Sequence, residues 1–147
     1  MKRHAVLAGL SRDHHKALII AQSMKIGAPV FRGLPVLLQA KRQYMMEFVK
    51  EELRGHFQEE ESVLFPFVKE SAPEMNTLID ELIADHRAME IILHHVETES
   101  DVASYLDEMG RLLETHIRKE ERILFQQIQD KLTALQFHEL EERLKKN

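Results

Sequence analysis

No cysteine occurs among the 147 residues. That excludes disulfides, thiolate metal sites, iron–sulfur clusters and thiol nucleophiles, so any metal must be held by nitrogen and oxygen. Glycine and proline are scarce, five and four, which leaves little turn chemistry for a many-stranded sheet. A basic excess is missing as well: 20 Lys and Arg stand against 25 Asp and Glu, a formal charge of −5 with a pI near 6.0. Phosphate binding needs clustered cations in excess, so no nucleic-acid partner is expected. No stretch reaches the roughly 20 apolar residues of a membrane span, and Lys2 and Arg3 have no long apolar run behind them. The expectation is a soluble cytoplasmic protein with no membrane partner. A Ser-His-Asp set, a phosphate loop and a nucleotide fingerprint are likewise missing.

What is present suits helices: 44% hydrophobic and 31% charged residues. The length fits one domain, 1–147, large enough for a buried core. Ser11 reads as a helix cap with Asp13 in the first turn, and helix 1 then runs to about Gly27. The segment from Gly27 to Pro35 reads as a connection. Helix 2 is expected from about Pro35 to Phe65, with Gly55 a weak point and Pro66 ending or kinking it. Ser71-Ala72-Pro73-Glu74 restarts the chain. Leu78, Leu82, Met89, Ile92 and Leu93 then stripe helix 3 to about Val96, and helix 4 spans about Val102 to Ile128. Thr133-Ala134-Leu135-Gln136 resembles a capping box opening a short fifth helix, about 133–145, that packs across the bundle or against a partner. The fold class is all-α: an up-down-up-down four-helix bundle, about 11–128, with this additional C-terminal helix.

Nine histidines is a high count, and their placement is patterned. His56 to Phe65 and His116 to Phe125 share the frame H-x3-E-E-x2-L-F, sixty residues apart. A shorter echo pairs Asp13-His14 with Asp85-His86. Each half of the chain thus offers a lone His followed by a His-x3-Glu, and a bundle built of two such halves places the sets facing each other across one core.

Residues four apart on a helix point the same way, so His56 with Glu60, and His116 with Glu120, can each reach one ion. Both pairs lie in apolar stripes, Leu53, Val63 and Leu64 on helix 2 and Met109, Leu112 and Ile123 on helix 4. Burying such groups without compensation costs several kcal/mol each, and a metal pair supplies the compensation. Imidazole with carboxylate suits iron, manganese or zinc rather than calcium, and Glu60 and Glu120, on opposite helices, are the bridging candidates.

These residues resemble the hemerythrin-like, or HHE cation-binding, domains, over most of the chain from Leu10 to Phe125. The resemblance implies a four-helix bundle around a non-haem di-iron centre bridged by carboxylates. Carried over residue by residue, it gives His14, His56, Glu60, His86, His116 and Glu120 as ligands. The oxygen carriers of the family have two histidines four apart on the third helix, whereas here His86 is followed four on by Glu90. Glu90 therefore has two readings, a seventh ligand or an exposed, salt-bridged residue. A carboxylate-rich site shifts the expectation from reversible oxygen carriage toward iron or redox sensing, or turnover of dioxygen or peroxide; dioxygen, peroxide and nitric oxide are the implied small ligands. Zinc or manganese in place of iron is the alternative, as is a metal-stabilised structural or regulatory bundle that acts as an interaction module.

His15 lies about 100° around the helix from His14, so one of the two faces the core, and the Asp-His echo favours His14. His4, His94, His95 and His138 read as surface or hydrogen-bonded residues. Glu59, Glu61 and Glu121 read as a solvated charge run in which one residue could back a ligand. Met45, Met46, Met89 and Met109 read as core filler, and Tyr105 as a core aromatic.

Overall fold

Residues early in the first helix and late in the second bury their apolar side chains together, and the same exchange repeats along the chain. One apolar cluster gathers Leu7 and Leu10 with Val63 to Val68, Met75 to Leu82 and Leu124 to Leu132; the other gathers Ala17 to Met24 with Met45 to Phe57, Met89 to Val96 and Val102 to Ile117. Each of the four long helices thus runs from one cluster to the other. The computed structural model describes residues 2–146, which form five helices and no strand. They are α1 (Ala5–Ser23), α2 (38–71), α3 (Asn76–Thr98, after a 3-10 turn at Pro73–Met75), α4 (102–131) and α5 (Ala134–Lys145). No helix among the described residues is long and apolar enough to cross a membrane.

Helix α1 starts six residues before Ser11. The His4 ring caps it by accepting the Val6 N–H through Nδ1 at 3.1 Å, and the His4 backbone N–H is itself held by Gln129 on α4. Ser11 is instead an interior helical residue, and its hydroxyl donates to Glu121 at 2.9 Å. The link between α1 and α2 lies where Gly27 and Gly33 predict it, both with positive φ, 79° and 83°, a conformation that side chains disfavour. Thr133 and Gln136 form the expected capping box. α5 folds back on its own chain, burying Phe137 and Leu140 among Leu7, Leu64 and Ile128, with His4 stacked on Phe137 at 3.8 Å.

Pro66 does not end α2. The helix widens into a π-turn over Glu60–Leu64, closed by the Phe65 N–H on the Glu60 carbonyl. Pro66 then falls in the first turn of the next α-segment, where its missing N–H and fixed φ are tolerated. α4 widens identically over Glu120–Leu124. Each π-turn inserts a residue into the 3.6 period, so the stripe expected through Ile123 passes through Leu124, Phe125 and Ile128 instead, and Ile123 is 42% exposed. α2 carries a further π-turn at Val49–Leu53; the matching stretch of α4, sixty residues on, is regular α-helix.

α1 and α4 meet closely at Gly110, where an added Cβ would sit 2.4 Å from the Ala21 carbonyl oxygen. Gly110→Ala is therefore expected to cost about 1–3 kcal/mol through overpacking. Gly55 lies in α2, where an added Cβ would meet nothing within 4 Å, and Gly55→Ala is expected to gain about 0.5–1 kcal/mol from helix propensity. Urea unfolding of both variants checks the pair; equal changes would show that close approach does not select Gly110.

Candidate metal centre

Between the two apolar clusters lies a single polar layer. His14 from α1, His56 and Glu60 from α2, His86 from α3, and His116 and Glu120 from α4 all turn inward there. His14, Glu60, His86, His116 and Glu120 are buried together, and the His56 side chain is 7% exposed. The i,i+4 spacing sets His56 Nε2 3.5 Å from Glu60 Oε2 and His116 Nε2 2.5 Å from Glu120 Oε1. The pseudo-repeat sets the rest: Glu60 Oε1 lies 3.2 Å from His86 Nε2, and Glu120 Oε2 lies 3.7 Å from His14 Nε2. Two quartets result, His14, His56, Glu60 and Glu120, and then Glu60, His86, His116 and Glu120, each with its ligand atoms within 4.8 Å of one another. Both contain the two glutamates.

Each histidine is held from behind. Nδ1 of His14 donates to Glu121 (2.9 Å), His56 to Asp13 (3.1 Å), His86 to Glu61 (2.7 Å) and His116 to Asp85 (3.0 Å). A proton fixed on Nδ1 leaves the Nε2 lone pair facing the centre, the arrangement of metal-binding histidines. Three of these carboxylates carry a cation in turn: Arg3 on Glu121 (3.2 Å), Arg87 on Glu61 (2.8 Å) and Lys119 on Asp85 (2.8 Å). Asp13 has no Lys or Arg ion pair among the described residues.

The layer is short of positive charge. All four carboxylate oxygens of Glu60 and Glu120 are buried with no well-formed hydrogen bond, facing only histidine Nε2 atoms, a costly state for ionised groups. Two Nε2 atoms meet at 3.1 Å, His14 with His56, and two more at 3.2 Å, His86 with His116. Two nitrogens bound to one ion at about 2.0–2.1 Å stand roughly 3 Å apart, so these spacings fit shared ions. The acid–base properties say the same. Burial opposes the His56 imidazolium, yet Asp13 and Glu60 outweigh it and push its pKa up to about 10. Against the same burial, Glu120 and Asp85 push His116 up to about 9. Burial and the facing Glu60 push Glu120 up to about 7. A layer that draws protons this strongly is one that an ion of positive charge would satisfy.

Of the two neighbouring histidines, His14 is buried in the layer, while His15 is exposed. Glu90, in contrast, stands outside both quartets. It faces away from the layer and holds Arg54 at 3.0 Å through both oxygens, with its side chain 42% exposed, because the i+4 turn of α3 carries it to the rim where Arg54 of α2 meets it. Glu61 and Glu121 are not a solvated run but hold His86 and His14. Their signal lay in the repeat, since the second Glu of each frame recurs as faithfully as the first. The closing Phe has a place too: Phe125 stacks on His14 at 5.4 Å and Phe65 on His86 at 5.9 Å. Tyr105 is half-buried and stacks on His95 at 4.8 Å.

A helical fold with two buried His and Glu quartets defines a metal-binding protein. The family model described as the Hemerythrin HHE cation binding domain matches residues 5–128. The chain belongs to that family. No curated protein and no solved structure gives a significant match.

Proposed function

We propose that this chain is a non-haem di-iron protein of the cytoplasm, folded as one up-down-up-down four-helix bundle with α5 added. His14 and His56 would hold one ion and His86 and His116 the other, with Glu60 and Glu120 common to both sets. The protein binds oxygen-derived species such as dioxygen, peroxide or nitric oxide, or senses iron or redox state. The observation that carries this reading is that both quartets share two buried glutamates, each with one oxygen toward either pair of histidines.

The ions, when bound, supply Lewis acidity and one-electron chemistry at neutral pH. The chain's own residues do the rest. Glu121, Asp13, Glu61 and Asp85 fix each imidazole's tautomer and ring plane and raise its basicity. Phe57, Phe65 and Phe125 pack against the rings and hold their orientation. No side chain is needed as a nucleophile.

Elemental analysis of protein made without chelators, with a visible spectrum before and after peroxide, tests this. Two irons per chain and a new absorption band on adding peroxide are expected. Zinc or manganese at the same stoichiometry would move the assignment to that metal, and a colourless, metal-free, fully folded protein would refute it.

A further inference from the structure

The ligand sets of the two halves are equivalent, but access to them is not. A pocket of about 210 Å³ lies beside the His14 and His56 position and is lined by both of those rings; of the other pair it reaches only His116. Its inner wall is apolar, formed by Ala17, Phe48, Leu53, Phe57, Leu113 and Ile117. On the other half, Phe57 lies flat on His86 at 3.8 Å, and the hollow beside it is a shallower groove of about 340 Å³ that reaches the His86 ring between Phe57, Arg54, Glu61, Arg87 and Glu90.

The asymmetry has a local cause. The π-turn at Val49–Leu53, which the second half lacks, widens α2 where Phe48, Glu52 and Leu53 line the pocket. The corresponding stretch of α4 is regular and is drawn against α1 at Gly110. π-turns are rare and recur at functional sites.

The dimensions and charge of the pocket define what it accepts. A dry cavity of about 150 Å³ holds benzene, so this one exceeds the needs of a diatomic molecule and fits an organic molecule of roughly that size. Two carboxylates, Asp13 and Glu52, line it beside the histidines. Asp13 is the one outer carboxylate without an ion-pair cation, and the Lys16 ammonium is already engaged by Glu52 at 2.6 Å. An organic anion would meet two carboxylates and no Lys or Arg among the lining residues.

We infer that this pocket is a binding site for a compact, neutral, largely apolar organic molecule of benzene size with one hydrogen-bonding head, held with that head toward His14 and His56. The inference names a substrate class for the proposed metal centre and rests on that reading for the ion the head would meet; the binding itself rests on the pocket.

Calorimetric titration of the metal-loaded protein with phenol and with benzoate, accompanied by metal analysis of each sample, is the test. Phenol is expected to bind one per chain, and benzoate at least tenfold more weakly. Ala17→Leu fills the pocket from α1 and Leu53→Phe from α2; each is expected to weaken phenol at least tenfold with metal content unchanged. Two fillers guard against one that fails to fold. If phenol does not bind to protein carrying two ions, or binds equally to both folded fillers, or if benzoate matches it, the inference is overturned while the metal reading stands. Protein without ions refutes the metal reading instead, and phenol binding to that same sample still decides the pocket.

Discussion

Stripping metal from the protein is expected to lower its melting temperature by roughly 10 °C or more. A ligand at a thousandfold excess over its Kd adds about 4 kcal/mol to the folded state, and each kcal/mol moves the melting point of a chain of this size by a few degrees. The two forms should also answer pH in opposite senses. In metal-free protein, His56 and His116 have folded pKa values near 10 and 9 against 6.5 for the free side chain. A raised value stabilises fully below 6.5 and is lost as the pH climbs through the folded value. Glu120, raised from 4.5 to about 7, acts in the same direction over its own window. Asp13, Asp85, Glu61 and Glu121 are lowered and withdraw their stabilisation only as the pH falls below the usual carboxylate range. The metal-free melting point is thus expected to fall from about pH 6 to pH 10. The loaded form should do the reverse on the acid side, because an ion needs free Nε2 lone pairs and ionised carboxylates, and protons displace it. Thermal unfolding of chelated and reloaded protein across this range decides the matter; parallel curves would mean that no ion sits on these histidines.

Glu60→Gln is expected to remove both ions, whereas His14→Ala is expected to remove only one. Glu60 belongs to both quartets, one oxygen toward His86 and the other toward His56, while His14 belongs to one. Metal analysis would then read near zero for the first variant and about half the parent value for the second, and the same loss in both would show that the glutamate is not shared. Stability is expected to fall in the metal-free variant as well. Although burial opposes its charge, Glu60 is held well below the usual carboxylate range by its contacts with Glu120, His56 and His86, and it helps to push His56 up, so its removal strips the buried imidazoles of a partner and the metal-free variant is expected to melt below its metal-free parent. A metal-free Glu60→Gln that melted above that parent would show that repulsion between the facing carboxylates outweighs their hold on the histidines.

Much of the centre could be read without the structure because its ligand pairs are local. His56 with Glu60 and His116 with Glu120 are one helical turn apart, and that spacing points them at one place whatever surrounds the helix. The repeat carried still more than its two ligands. Of its shared letters, the His and the first Glu face the buried polar layer, the second Glu backs a histidine of the other half, the Leu fills the core and the Phe stacks on that same histidine. Periodicity went wrong where the helix left its usual period: Ile123 lies outside the stripe because of the π-turn at Glu120–Leu124, and Pro66 passes within α2 for the matching reason. Ser11 looked like a cap because a capping serine and a serine bonded across to α4 are the same residue in a one-dimensional string.

Local spacing is enough for the all-helical class, the turn at Gly27 and Gly33, the capping box at Thr133 and the six inward-facing histidines and glutamates, since each rests on neighbours within a turn or two of the chain. Long-range packing sets that Glu121 and Glu61 reach across to His14 and His86, that Glu90 leaves the site for Arg54, and that one half opens on a pocket beside both its histidines while on the other Phe57 lies flat on His86. Those outcomes depend on the relative height and rotation of helices far apart in the chain, which are fixed by the packing of two apolar clusters around a charged layer and not by any local spacing.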